Sequence, residues 1–157
     1  MTRADVLVLG GGAAGLMCAI TAARRGRSVI VLEGSNRVGK KILMSGGGRC
    51  NFTNLHCEPS RYLSHNPHFC KSALSRYTQH DFIALVEKHC IPYHEKTLGQ
   101  LFCDNSSKDI VAMLLSECDD AGVVIETNVD IGDVRRNDAF AVSTHLGDYS
   151  SDAPVSY

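Results

Sequence analysis

The sequence predicts an α/β fold built on a parallel sheet, with a small antiparallel meander near its end. Three observations carry that expectation. The apolar runs DVLVLG (residues 5–10) and SVIVLE (28–33) do not alternate, as befits strands buried on both faces. Between them lies a stretch with helical apolar spacing, which makes a strand–helix–strand unit and hence a right-handed crossover. Three short runs after Gly122 read as strands, two of them joined at Asn137-Asp138.

Taken in order, the first helix follows GGAAG and keeps its apolar positions to Ala23. Arg24 and Arg25 suit its last turn and Gly26 its stop. A long irregular loop is expected over residues 34–54. Asn66-Pro67 is expected to start a helix that runs to about Tyr77. Thr78 caps the next, with Phe82, Ile83, Leu85 and Val86 facing inward. CIPYHEK reads as extended because Pro92 restricts its neighbour. Ser107 is expected to cap a helix whose core stripe is Ile110, Val111, Met113, Leu114 and Leu115. VVIET, DIGDVRR and FAVSTH are the final strands. After them LGDYSSDAPVSY shows no strong apolar run, and Pro154 falls where a further strand would be welcome. Residues 1–157 thus read as a single domain: a βαβ unit (1–34), a glycine-rich loop (34–57), a mainly helical stretch (60–121) and a β-meander (122–146).

Composition narrows the function classes. The chain has 157 residues, 16 basic and 17 acidic, and a formal charge of -1. No basic run gives electrostatic support to a nucleic-acid partner. Seven cysteines with no CxxC and no zinc spacing read as reduced thiols in a cytoplasmic protein. Residues 6–23 form an uncharged run of eighteen, near the membrane-spanning threshold. Four glycines inside the run and Asp5 before it favour a strand, turn and buried helix, so no membrane role is expected.

Gly10, Gly12 and Gly15 form G-x-G-x-x-G at the turn between the first strand and helix. The first glycine permits the tight turn, the second lets a pyrophosphate approach the backbone, and the third lets helix and strand pack closely. The helix start at Ala13 and Ala14 then offers N–H groups and a partial positive charge to the phosphates. Glu33 closes the second strand 23 positions after Gly10, the spacing at which a carboxylate accepts both ribose hydroxyls. An acid there opposes a 2′-phosphate. The loop after Glu33 decides between NAD and FAD, because long ordered loops tend to be functional. Lys40 and Lys41 suit pyrophosphate oxygens. Ser45, Gly46, Gly47 and Gly48 can bring bare backbone against a flat ring, and Arg49 and Asn51 can bond a flavin or its ribityl chain. The expectation is a Rossmann-like FAD-binding domain whose sheet is incomplete at the C-terminus.

The segment "DVLVLGGGAAGLMCAITAARRGRSVIVLE", followed by "GKKILMSGGGRCNFTN", closely resembles the BaiN-like, or aminoacetone-oxidase-like, bacterial NAD(P)/FAD-dependent oxidoreductases. The second motif is the more specific. The resemblance implies an FAD oxidoreductase with a small-molecule substrate and NAD(P)H as electron donor, although no second GxGxxG is present to bind that donor. It also implies that backbone at Ile131 faces the adenine. GQLFC departs from the family's usual Gly-Arg-x-Phe-Pro at Gln100 and Cys103. Family members run beyond twice this length, so the chain reads as an N-terminal fragment that holds FAD weakly at best.

Cys50 beside Arg49 has a neighbour that can activate a thiol, but its nearest partner in sequence, Cys57, lies beyond C-x4-C spacing. Packing or a flavin-side contact is the expected role. The seven histidines form no metal-ligating pattern, and no nucleophile elbow is present, so no metal, catalytic acid or base is assigned. The competing readings are a non-catalytic nucleotide-binding module and an inactive remnant.

Overall fold

The computed structural model describes residues 1–156, with side chains through Ala153. In chain order the elements are β1 (Thr2–Leu9), α1 (Ala13–Arg24), β2 (Val29–Leu32), α2 (Lys40–Met44), β3 (Asn51–Asn54), α3 (Lys71–Arg76), α4 (Gln79–Lys88), β4 (Tyr93–Glu95), β5 (Gln100–Cys103), α5 (Lys108–Asp120), β6 (Val124–Glu126), β7 (Ile131–Arg136), β8 (Phe140–Thr144) and β9 (Gly147–Ser156). They fall into two compact units, residues 1–42 with 114 onward, and residues 43–113.

The first unit holds a six-stranded sheet in the order β6-β2-β1-β9-β8-β7. Its β6, β2, β1 and β9 run parallel, while β8 and β7 continue as an antiparallel meander from β9. As the non-alternating run predicts, β1 is buried on both faces. Val8 packs with Val29, Val31 and Ala19 of α1, and Leu7 and Leu9 pack with Ile30, Leu32, Val129, Val142 and Tyr149. Each such fully buried aliphatic side chain contributes about 1.5–3 kcal/mol. At the end of α1, Gly26 adopts φ 79° and donates to the Ala23 carbonyl while Arg27 donates to that of Ala22, which closes the helix as a Schellman motif. Arg24 pairs with Glu117 of α5, whose side chain is fully buried. No helix among the described residues is long and apolar enough to cross a membrane.

Two expectations need correction in this unit. The strand β9, which the sequence does not announce, runs through the polar stretch after Leu146 and pairs with both β1 and β8. Main-chain bonding on both edges, with Tyr149 and Ser151 alternately buried, compensates for the missing apolar run. The phenol of Tyr149 donates to Glu126 at 2.5 Å, and this bond and burial push its pKa up to about 12. The meander consists of β7, β8 and β9; β6 stands apart from it and extends the parallel sheet beside β2.

The second unit carries a three-stranded antiparallel sheet, β3-β5-β4. The stretch expected to be mainly helical therefore also contains β4 and β5. The loop expected to be irregular holds α2, a 3-10 turn at Ser45–Gly48 and β3. The helix expected from Asn66 forms only over α3, after a turn in which Asn66 accepts the His68 N–H. Ser107 precedes α5 but does not cap it: its hydroxyl donates to the Leu43 carbonyl, and Ser106 accepts the Lys108 N–H. The buried stripe of α5 is Ile110, Met113, Leu114, Glu117 and Cys118, while Leu115 is 38% exposed.

Thr78 caps α4 as expected, within a reciprocal box. Asp81 donates its N–H to the Thr78 hydroxyl, and its carboxylate accepts the Thr78 N–H at 2.6 Å. Replacing Thr78 with Ala removes the cap and lowers stability by about 1 kcal/mol, read as a shift in the urea midpoint. Hydrogen bonds from Thr78 hold the Asp81 carboxyl below its ordinary value, so the box stabilises the fold above the usual carboxylate range. That contribution fades as pH falls through the folded value. The difference between wild type and Thr78→Ala therefore narrows in acid.

Candidate functional site

In the first unit, β1 ends in a turn that only glycine can make. Gly10 adopts φ 107° and donates to the Leu32 carbonyl at 2.8 Å, which joins the turn to the end of β2. A Cβ on Gly15 would stand 2.1 Å from the Gly10 carbonyl oxygen, so α1 packs against the turn at backbone contact. Gly12 is the N-cap of α1, and no side chain caps that end. A Cβ at Gly12 would meet no protein atom within 4 Å. The N-terminal N–H groups at Ala13 and Ala14 thus lie beside open space with the helix dipole behind them.

Glu33 follows β2 directly. Its carboxylate accepts the Gly11 N–H at 2.7 Å and the Ser35 N–H at 2.8 Å, one on each oxygen. Partial burial opposes the charge, but these two bonds and nearby Lys40 outweigh it, so the carboxyl sits below its ordinary value and is ionised at neutral pH. Each oxygen keeps lone-pair capacity for a further donor. Gly39 donates to the Gly11 carbonyl, which returns the chain to the turn just before Lys40. Both Lys40 and Lys41 are exposed in the first turn of α2. Val129 donates to the Glu33 carbonyl, which brings Ile131, at the start of β7, to the same end of the sheet. The structure therefore gathers Gly10, Gly12, Ala13, Ala14, Gly15 and Glu33 around one turn.

In the second unit, the triple glycine forms a left-handed bend. Gly46, Gly47 and Gly48 have φ of 56°, 65° and 85°. A Cβ on Gly46 would lie 2.8 Å from both the Asn51 nitrogen and the Phe102 ring, whereas Gly47 and Gly48 face open space. The bend is pinned from below. Cys50 donates to the Ser45 carbonyl, Ser107 to that of Gly48 and Cys103 to that of Arg49.

The polar side chains of this motif are exposed, yet they hydrogen-bond to main chain of their own unit. Arg49 donates to the Asp104 carbonyl at 2.5 Å. With its carboxamide nitrogen toward β5, Asn51 donates to the carbonyls of Thr53 at 3.0 Å and Leu101 at 3.2 Å. Both side chains thus brace the bend against β5. Sequence reasoning also passes over the His94–Asp104 pair, 2.6 Å apart, and the stacking of His94 on Phe102. Residues from separate strands meet there, and no spacing rule announces them.

The activation of Cys50 by Arg49 is not supported. Cys50 is 5% exposed, and burial pushes its thiol up despite a hydrogen bond from Ser45. Burial also raises Cys103 to about 12 and Cys118 to about 11. Alkylation with iodoacetamide at neutral pH is therefore expected to modify exposed Cys90 well before Cys50, Cys103 or Cys118, as peptide mass spectrometry would read. Early labelling of Cys50 would restore a reactive thiol.

The residues at the first turn fit a dinucleotide. Open space at Gly12 matches the close approach of a pyrophosphate, the uncapped helix end supplies N–H donors, and ionised Glu33 supplies acceptors for a ribose diol. Comparison with known proteins agrees with this geometry. The family model described as HI0933-like protein Rossmann domain matches residues 4–154. Two relatives named ribosomal RNA dihydrouridine synthase are similar to the chain. The Escherichia coli protein is 54% identical over 138 residues, 88% of this chain and 34% of its own. The Haemophilus influenzae protein is 55% identical over 130 residues, 83% of this chain and 32% of its own. The chain thus spans about a third of the length of these curated relatives. Among solved structures, 3-ketosteroid-delta4-(5alpha)-dehydrogenase from Rhodococcus jostii RHA1 shares the fold, with a TM-score of 0.70 at 17% identity over 99% of this chain and 45% of that one.

Proposed function

Because the chain belongs to the HI0933-like Rossmann-domain family, we propose that it binds FAD for an oxidoreductase that reduces uracil bases in ribosomal RNA, with NAD(P)H as the electron source. The observation that carries the cofactor assignment is the pairing of open space at Gly12 with an ionised Glu33 across the same turn. The substrate class is carried by the two relatives more than half identical to this chain.

When bound, the flavin supplies hydride transfer. The chain's own residues bind and orient it. Gly12, Ala13 and Ala14 offer backbone donors to the pyrophosphate, and Glu33 accepts from the ribose. Lys40 and Lys41 add positive charge near the phosphates. Backbone at Ile131 faces the adenine. Within the second unit, the Ser45–Gly48 bend, braced by Arg49, Cys50 and Asn51, offers bare main chain suited to a flat ring. With a formal charge of -1, non-specific attraction to phosphates adds little to RNA binding by this chain. Small-molecule reduction was the expectation from sequence, and the close relatives move the reading to a base within RNA.

Nucleoside mass spectrometry of ribosomal RNA, from cells with and without the gene, tests this reading. Dihydrouridine is expected to disappear on deletion, to return with the wild-type gene and to stay absent with a Gly12→Val gene. Unchanged RNA would overturn the substrate assignment. A purified chain that takes up ADP-ribose but no FAD would instead make it a non-catalytic nucleotide-binding module.

A further inference from the structure

Within the second unit, β3 leads from the glycine bend to a cavity of about 430 Å³ lined by Asn54, His56, Cys57, Arg61, Tyr62 and Leu98. That size suits a nucleotide-sized ligand. Its walls are fixed by hydrogen bonds. Asn54 donates to the Leu98 carbonyl at 3.0 Å and accepts the His56 N–H at 2.8 Å, while Leu55 donates to the Gly99 carbonyl. A Cβ on Gly99 would come within 2.7 Å of the His56 ring, so the turn is pressed against that histidine. Leu98 adopts φ 53°, a conformation unfavourable for a residue with a Cβ, and its side chain stands 86% exposed at the rim. Neither feature serves the core, and strained backbone of this kind gathers at ligand sites.

The chemistry of the lining is one-sided. Arg61 and His56 supply nitrogen donors, and none of the lining residues is a carboxylate. Two acids flank the lining without forming part of it: Glu58 accepts from the Ser60 hydroxyl at 3.4 Å, and Glu95 accepts the Gly99 N–H at 3.1 Å. The Tyr62 hydroxyl lies 3.0 Å from the Cys57 sulfur, and that contact and burial raise its pKa, so the phenol stays neutral. Its ring is held edge-on to Phe69. A guanidinium beside an imidazole suits a phosphate, and a fixed aromatic ring beside a leucine suits the face of a base.

We propose that this cavity seats one nucleotide of a single RNA strand, with Arg61 and His56 on its phosphate and Tyr62 and Leu98 flanking its base. The proposal rests on the reading that the substrate is a uracil base in RNA. A free dinucleotide such as NADP⁺ offers the same phosphate-and-base chemistry, and the test separates the two sources. Amide resonances of the isotope-labelled chain with FAD added are followed during titration with a short oligouridylate, and separately with NADP⁺. Saturable shifts confined to residues 54–62 and 98–99 are expected with the oligouridylate and not with NADP⁺. Arg61→Gln is expected to weaken oligouridylate binding about tenfold, the loss of one charge-assisted contact, while Arg61→Lys keeps part of it. FAD binding is expected to stay unchanged in both variants, since Arg61 lies outside the cofactor turn. The absence of cavity shifts, shifts there with NADP⁺ instead, or full affinity in Arg61→Gln would overturn the seat. Cells that lose dihydrouridine on gene deletion while the cavity stays silent would sink the seat alone. Cells that keep it while the cavity binds would sink the uracil-reduction reading alone.

Discussion

Gly12→Val is expected to cost about 2 kcal/mol of FAD binding, roughly thirtyfold in Kd, while leaving the fold almost intact. The backbone at Gly12 is extended, with φ -78° and ψ -178°, so a side chain is tolerated there. Its Cβ would meet no protein atom within 4 Å. The new methyl groups would therefore fill the space that the proposed pyrophosphate enters. Valine is a poorer N-cap than glycine, which costs the helix up to about 1 kcal/mol. Fluorescence titration with FAD reads the affinity, and thermal unfolding of the chain without added cofactor reads the stability. A variant that bound FAD as well as the wild type would remove the pyrophosphate from this turn.

Gly15→Ala is expected to do the reverse and damage the fold first. Its Cβ would stand 2.1 Å from the Gly10 oxygen and 3.4 Å from Val8. Two opposed effects meet at this site. Alanine improves the helix by about 1 kcal/mol over glycine. Overpacking against fixed backbone costs about 3 kcal/mol, because neither β1 nor α1 can move without breaking its pairing. The clash wins, with a net loss of about 2 kcal/mol and a fall in Tm of roughly 4–8 °C. A rise in Tm would show that α1 moves away from the turn at little cost. Together the two variants separate a glycine kept for packing from one kept for a ligand, although both belong to one motif.

Much of this was legible from the sequence because local signals and tertiary needs agree. The strand–helix–strand unit is announced by two apolar runs, by glycines at Gly10 and Gly15 that the turn requires, and by Gly26 at the helix end. Thr78 announces α4 because a cap acts over a few residues. The failures share a cause. β9 has its hydrogen bonds satisfied by β1 and β8, which are distant in sequence or read in the other direction, so its residues need not form an apolar run. β5 is four residues long and alternates in burial, too short a pattern to read. Ser107 has the residue type of a cap, but the Leu43 carbonyl outcompetes that role for its hydroxyl. In the candidate site, backbone roles at Gly10, Gly12 and Gly15 follow from spacing. The bracing by Arg49 and Asn51 depends on β5 and Asp104, which only the folded chain brings near.

The central claim is that main chain at the first crossover receives the pyrophosphate of FAD. Titration of the isotope-labelled chain with FAD, followed by its amide resonances, tests this most directly. Large saturable shifts are expected at Gly11 to Gly15, with FAD and with ADP-ribose alike. Shifts spread elsewhere, with Gly11 to Gly15 unmoved at saturating FAD, would contradict the account.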